Sequence, residues 1–330
     1  MEKHAYSVGD NYFMGNSFVW WQGVVEDVND PLKLGRCRVR IMGFHNADTK
    51  EIPTEHLPWA VCIQPVTSAS LSEVGTSPTG LLPGSWVVGF FRDPEYYQLP
   101  IVFGSIPGIP KKQDVSIGDG FKDPSKKYPL KTHLNESDLS RLARNEKIDQ
   151  TIVKKKRDSR IKSVVGALNR DSWSEPEVPY KAEYPKNHVM QTESGHIQEF
   201  DDTPKNERIQ TYHKSGTFEE IHPDGSTMKK IVSEKYEIVY DDNRVLIRGK
   251  KTENIGKDHN QKVGGNVNVE IDGDVSMWVK GDYYLRVDGR YSVDAGGGSA
   301  VVSRGNMVWV APRIDLNPQG IGASDIGRVL

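Results

Sequence analysis

Nine histidines, two cysteines and scattered serines are the residues of this 330-residue chain whose chemistry is worth testing first. His213 and His222 fall on two expected strands, but no third ligand stands at metal spacing. Structural hydrogen bonding is their expected role. Cys37 and Cys62 belong to no Cys-x-x-Cys or Cys/His cluster. Neither a zinc site nor a disulfide framework is expected, and two free thiols suit folding in a reducing compartment. Ser194 and Ser303 lack the Gly-x-Ser-x-Gly context of an activated nucleophile. Gly296, Gly297 and Gly298 are followed by no Lys-Ser/Thr pair, so they form no phosphate loop. Trp20, Trp21, Tyr96 and Tyr97 have faces that could stack on bases. With a formal net charge of −2 and no basic groove in view, packing is their expected role and no nucleic-acid partner is expected. No cofactor or metal is expected.

The strongest pattern in the chain is a repeat. In GNVNVEIDGDVSMWVKGDYYLRVDGRYSVDAG, residues 265–296, Gly265, Gly273, Gly281 and Gly289 stand eight apart, and Gly249 stands sixteen before Gly265. Alternate positions between them are apolar: Val267, Val269, Ile271, Val275, Met277, Val279, Tyr283, Leu285, Val287, Tyr291 and Val293. Polar residues fill most of the gaps, which is the signature of short strands with one buried face. Eight extended residues reach at most ~26 Å, too little to enclose a core. Each buried Val or Leu is worth roughly 1.5–3 kcal/mol, so the stripe must be covered. Either another layer of the chain covers a meander, or identical chains each supply one wall around an axis. The sequence shows no covering layer, and closed symmetry is the common way to assemble copies. A homotrimeric, interleaved β-prism is therefore expected, with the stripe as its core. Its glycines are expected at corners that need positive φ or freedom from crowding. On the opposite face Trp278 and Tyr284 break the polar rule and are expected to pack across neighbouring strands. The phase weakens at 257–261 and is lost after Ala295.

Five segments follow from composition. Residues 1–16 form an N-terminal arm, whose sequence lacks the apolar core of a secretion leader. Residues 17–108 contain about five β-branched or aromatic runs with turn signals and are expected to close a small barrel. Within them, Arg36 to Arg40 alternate charge and apolar residues like a half-exposed strand. Residues 109–188 are charged and Pro-interrupted. They read as an extended linker with a short helical part, in which Ser137 is a candidate cap and the basic run Lys154–Lys162 is solvated. Residues 189–320 return to strands, and 321–330 are a small-residue tail. No apolar run is long enough to cross a bilayer as a helix.

Two sets of residues carry a resemblance. QTESGHIQEFDDTPKNERIQTYHKSGTFEEIHPDGS, from Gln191 to Ser226, followed by the octads, resembles the central spike of contractile-tailed phages. It is also similar to the valine-glycine-repeat spikes of type VI secretion systems. GVVEDVNDPLKLGRCRVRIMGFH, LPWAVCIQPVTSAS, SPTGLLPGSWVVGFFRDPE and PIVFGSI resemble the OB-fold domain of the phage spike. The resemblance implies a mainly β chain: an N-terminal OB-fold barrel, the linker, and a C-terminal intertwined trimeric β-helix. It implies a virion protein of the tail baseplate tip, synthesised in the host cytoplasm and bound to a baseplate hub protein. The needle would be driven through the host outer membrane on sheath contraction. A PAAR-type tip protein, named for its proline-alanine-alanine-arginine motif, is implied at the blunt end, with Met307, Val308, Trp309 and Val310 as its candidate interface. The best-known members carry a lysozyme domain between barrel and prism. Here the interval 109–188 is short and polar, and Glu136 and Glu146 have no apolar surroundings to raise their pKa values. No His follows His259, so a His-x-His tip metal is not expected. The expected protein is a non-enzymatic spike. A peptidoglycan hydrolase with its site in the linker, or an effector-carrying secretion spike, stands as the alternative.

Overall fold

The computed structural model of the chain describes residues 18–93, 95–108, 137–146, 148–169 and 171–314. The N-terminal arm, the linker's first part with Glu136, and the C-terminal tail lie outside the described residues. The chain divides into Met1–Asn254 and Ile255–Leu330.

Five strands, β1 (Trp20–Asp27), β2 (Cys37–Ile41), β3 (Trp59–Cys62), β4 (Trp86–Phe91) and β5 (Pro100–Ser105), close a barrel in the order β1-β2-β3-β5-β4. Closure pairs every edge, so none is left to template aggregation. Trp21, Val25, Val39, Ile41, Val87, Phe91 and Val102 fill the interior. Their alternation with exposed neighbours is what makes these runs strands. Gly89 is required by close approach. A Cβ there would stand 2.0 Å from the Ile101 carbonyl oxygen and 2.4 Å from the Trp21 ring. Arg36 and Arg38 are half-buried, as the alternation predicts, but Arg40 is fully buried. Its guanidinium donates to both Glu26 carboxylate oxygens at 2.6 and 2.9 Å, and to the Asn46 and Ile52 carbonyls. The pair ties the β2–β3 loop to the barrel wall.

A second sheet follows: β8 (Asn187–Gln191), β9 (Ile197–Asp201), β10 (Arg208–Tyr212), β11 (Phe218–Ile221) and β12 (Thr227–Lys230), each antiparallel to the next. The expectation of a β-helix from residue 189 is corrected here, since residues 187–230 pair within one chain. The reason is local. Gly195, Gly216 and Gly225 take φ of +93°, +100° and +82°. Each donates its N–H back across a tight hairpin turn, to Thr192, His213 and His222.

The linker's described part does not hang free of this sheet. Ser137 accepts from the Leu139 N–H, but the residues after it form turns rather than a helix. The helix is α1 (Ile152–Asp158), capped by the Thr151 hydroxyl, which accepts from the Val153 N–H. A two-stranded ribbon, β6 (Val164–Val165) and β7 (Ser172–Trp173), follows. Leu142, Ile152, Val153, Tyr180 and Ala182 pack with Ile197, Tyr212 and Phe218 of the sheet. The basic run is correspondingly not all solvated: Lys156 is buried. It donates to Glu220 at 2.5 Å and to Gln210 at 2.8 Å. Arg208 bridges Glu199 at 2.5 Å and Glu220 at 2.8 Å. Two cations and two carboxylates thus neutralise one another out of water. Burial alone would raise the Glu220 pKa, but Lys156 and Arg208 outweigh it and hold it below its ordinary value of 4.5.

Three predictions follow from this packing. Gly89→Ala should cost the barrel ~1–3 kcal/mol. Gly104→Ala, whose added methyl meets nothing within 4 Å, should leave its thermal unfolding unchanged. Arg208→Met leaves the buried Glu199 without its cation and should cost the sheet ~3–5 kcal/mol. Because the folded Glu220 pKa is depressed, its contribution is full above about pH 4.5 and disappears as pH falls through the lower folded value. Melting curves from pH 6 downward should show that loss, and Glu220→Gln should flatten it.

Candidate self-association surface

From residue 232 onward the backbone bends every eight residues. In the first unit the bends fall at 232–233, 240–241 and 248–249. In the second they fall at 256–257, 264–265, 272–273, 280–281, 288–289, 296–297, 304–305 and again at 312. The period is therefore longer than the sequence pattern shows. It neither lapses at 257–261 nor ends at Ala295. One position explains the continuity through 257–261. The last apolar site of each octad is occupied by Val239, Ile247, Ile255, Val263, Ile271, Val279, Val287 and Ala295 in turn. This holds even where the first two sites are polar.

Those polar sites were missed in the sequence. At the positions that later hold valines, the early octads carry Lys235 and Glu237, Lys251 and Glu253, then His259 and Gln261. Lys251 pairs with Glu253 at 2.8 Å, and Lys235 contacts Glu237. Each Lys-x-Glu thus neutralises itself along one side of its own strand. The recurrence of Lys-x-Glu at sixteen-residue spacing was the available signal.

Among the described residues from 233 to 314, no backbone-to-backbone hydrogen bond is made within the chain. Extended backbone has donors and acceptors that must be satisfied by something. The stripe is equally unpartnered: Val267 is 64% exposed, Val269 73% and Met277 71%. Ile271, Val275, Val279, Tyr283, Leu285, Val287, Tyr291 and Val293 are exposed too. At the far end Met307, Val308, Trp309 and Val310 are exposed, so both strand faces are apolar there. Trp278 lies under the Lys280 ammonium at 5.7 Å, and the Tyr284 hydroxyl meets Asp282 at 3.3 Å, so each is engaged by its own strand.

The repeat glycines also differ from expectation. The left-handed glycines end at Gly225, and Gly249, Gly265, Gly273, Gly281 and Gly289 are not among them. A methyl added at any of the five meets nothing within 4 Å. Within one chain, neither conformation nor crowding calls for glycine at these corners.

The second sheet adds a surface that sequence reasoning did not find. Its charged side chains Glu199, Arg208 and Glu220 face the linker and are buried. Its opposite face carries Phe200, Ile209 and Ile221, which are direct cross-strand neighbours and stand 41–45% exposed. The alternation in RIQTY gives the period but not which side is covered. The buried charge pairs settle that, and they turn the apolar row outward.

Elsewhere the residues considered for chemistry are placed as follows. Trp21 is in the barrel core, and Trp20 meets Phe18, Phe90 and Phe103 edge-on outside it. Tyr97 packs on Phe44 and Phe91, while Tyr96 is exposed. Glu146 is exposed and pairs with Arg144 at 2.6 Å. His213 directly follows β10 and meets His196 at a tilt, with ring centroids 4.5 Å apart. His222 directly follows β11 and lies 3.4 Å from Glu220. Among the described residues, no group of three His, Cys, Asp or Glu is placed to hold a metal.

Comparison with known proteins agrees with this architecture. A protein named Protein Gp5 from Vibrio phage KVP40 is 43% identical over 269 residues, covering 72% of this chain and 63% of the relative. The chain therefore spans a little under two thirds of that relative's length. The pre-baseplate central spike protein Gp5 of Enterobacteria phage T4 is 24% identical over 458 aligned positions, covering 74% of this chain and 79% of the relative. Since 74% of 330 residues is about 244, more than 200 of those positions have no residue of this chain opposite them. The family model described as the Gp5 N-terminal OB domain matches residues 43–209, which run from just after β2 through β3, β4, β5 and the linker into β10. With half of its length matched by that model, the chain belongs to the Gp5 N-terminal OB domain family.

Proposed function

We propose that three copies of this chain form the central spike of a contractile phage tail, a needle that breaches the host envelope mechanically and catalyses nothing. One observation carries the reading: from residue 233 to 314 the chain is extended, bent every eight residues, and without backbone partners of its own. Three such chains wound about one axis supply one another's hydrogen bonds and bury the stripe from Val267 to Val293 between three walls. The repeat glycines then have a purpose, since corners from neighbouring chains approach closely where a single chain leaves open space. The Lys-x-Glu pairs enter the axis already neutralised. A needle filled with side chains and laced by hydrogen bonds resists bending under load.

The name of the T4 relative supports the place of action, the tail baseplate of a virion. The barrel end would meet the baseplate hub, and Met307–Val310 would take a tip protein. The more than 200 positions of the T4 relative that lack a counterpart here support a spike without an inserted hydrolase domain.

Gly273→Val and Gly281→Val should each lower the temperature at which the oligomer withstands SDS, leaving the unfolding of the barrel unchanged. Unaltered SDS resistance in both variants counts against close approach at the corners. Purified protein added to cell-wall suspensions should leave their turbidity unchanged, and rapid clearing would restore the hydrolase reading.

A further inference from the structure

The basic run between Lys154 and Lys162 lies in more than one environment. Lys154 pairs with Asp158 at 2.5 Å on the exposed side of α1. Lys155 and Lys156 instead line a cavity of about 210 Å³ between α1 and the β10–β11 turn. Lys214 and Lys230 line it as well, with Ser159 and Ser215 beside them. Four lysines therefore line one small cavity. Two are neutralised in place, Lys156 by Glu220 at 2.5 Å and Lys230 by Glu175 at 3.0 Å. Among the described residues, no carboxylate pairs with Lys155 or Lys214.

The walls are fixed independently of any ligand. The buried pairs hold α1 to the sheet. In the β10–β11 turn, His213 Nδ1 accepts from the Ser215 N–H at 3.1 Å. His196 Nδ1 accepts a longer contact from the Lys214 N–H at 3.5 Å. Lys155 and Lys214, neither paired with a carboxylate, are thus carried on elements whose positions are set.

We propose that this cavity is a binding site for a phosphate monoester dianion. Like charges lining one cavity repel unless a counter-charge sits between them. A phosphate monoester carries about −1.5 to −2 near neutral pH, which matches the surplus, whereas a carboxylate leaves one ammonium uncovered. Lysine binds phosphate as a point charge without needing a planar fork. Inorganic phosphate and the phosphorylated headgroup of an envelope glycolipid present the same group. The site lies wholly in the first unit and does not depend on the trimeric reading.

The test titrates inorganic phosphate into the full chain by calorimetry, with ionic strength held constant by chloride. Saturable binding is expected, and Lys155→Ala with Lys214→Ala should weaken it at least about tenfold. Both lysines are exposed, so the double variant should melt like the parent in phosphate-free buffer. Charge-reversed Lys155→Glu provides a second variant with the same expectation. Co-sedimentation with phosphatidylcholine vesicles, with and without a phosphorylated glucosamine lipid, separates the sources. Vesicle binding that phosphate displaces assigns the lipid headgroup, and phosphate binding without vesicle binding assigns the free ion. Heat that follows ionic strength alone, or undiminished binding by both variants, overturns the proposal.

Discussion

Everything in the C-terminal third of this protein follows from one constraint: an eight-residue extended arm cannot cover its own apolar side. A hairpin hides one face by folding a second layer over it, and a solenoid does so with a coil long enough to enclose side chains. An octad reaching at most ~26 Å before it bends does neither. Its backbone donors and acceptors are left open by the same shortness. In the proposed trimer both deficits would be met by identical walls, the unmet groups of one copy being offered to those of the next. The stripe, the bends and the unhindered glycine corners are therefore aspects of a single problem of coverage.

The sheet that precedes the octads handles polarity in the reverse of the usual way. Lys156, Arg208, Glu199 and Glu220 are drawn inside, where each charge has a partner within 2.8 Å. Phe200, Ile209 and Ile221 are left outside. A buried ion network of this kind contributes little net stability compared with a well-packed apolar core, but it is strict about geometry. Here it fixes which face of the sheet the linker covers, and so which face stays free. The contrast with Gly89 and Trp21 in the barrel is instructive. There the packing problem is solved within one chain, and the glycine is pinned by its own neighbours.

Much of this was legible in the residues themselves. Period-two runs gave the barrel, and the Gly-spaced octads gave the repeat. What stayed hidden was set by contacts distant in sequence. Arg40 looks like one more exposed arginine until β1 places Glu26 beside it. Lys156 looks like part of a solvated basic run until Glu220, 64 residues on, closes over it. The hairpins of 187–230 were signalled by their turn glycines, yet the later repeat drew the prism's boundary too far upstream. The octad phase was underestimated around 257–261 because polar residues at the first two sites masked an aliphatic third, from Val239 through Val263. The left-handed role expected for the repeat glycines borrowed the logic of hairpin turns, which these bends do not share.

The central claim is that the exposed stripe is covered by other copies of the same chain. Sedimentation equilibrium or native mass measurement of the intact purified protein tests it most directly. A single species at three times 37.0 kDa, about 111 kDa, that does not dissociate on dilution is the predicted result. A stable, soluble 37.0 kDa monomer, with residues 267–293 protected from solvent in hydrogen exchange, would contradict it.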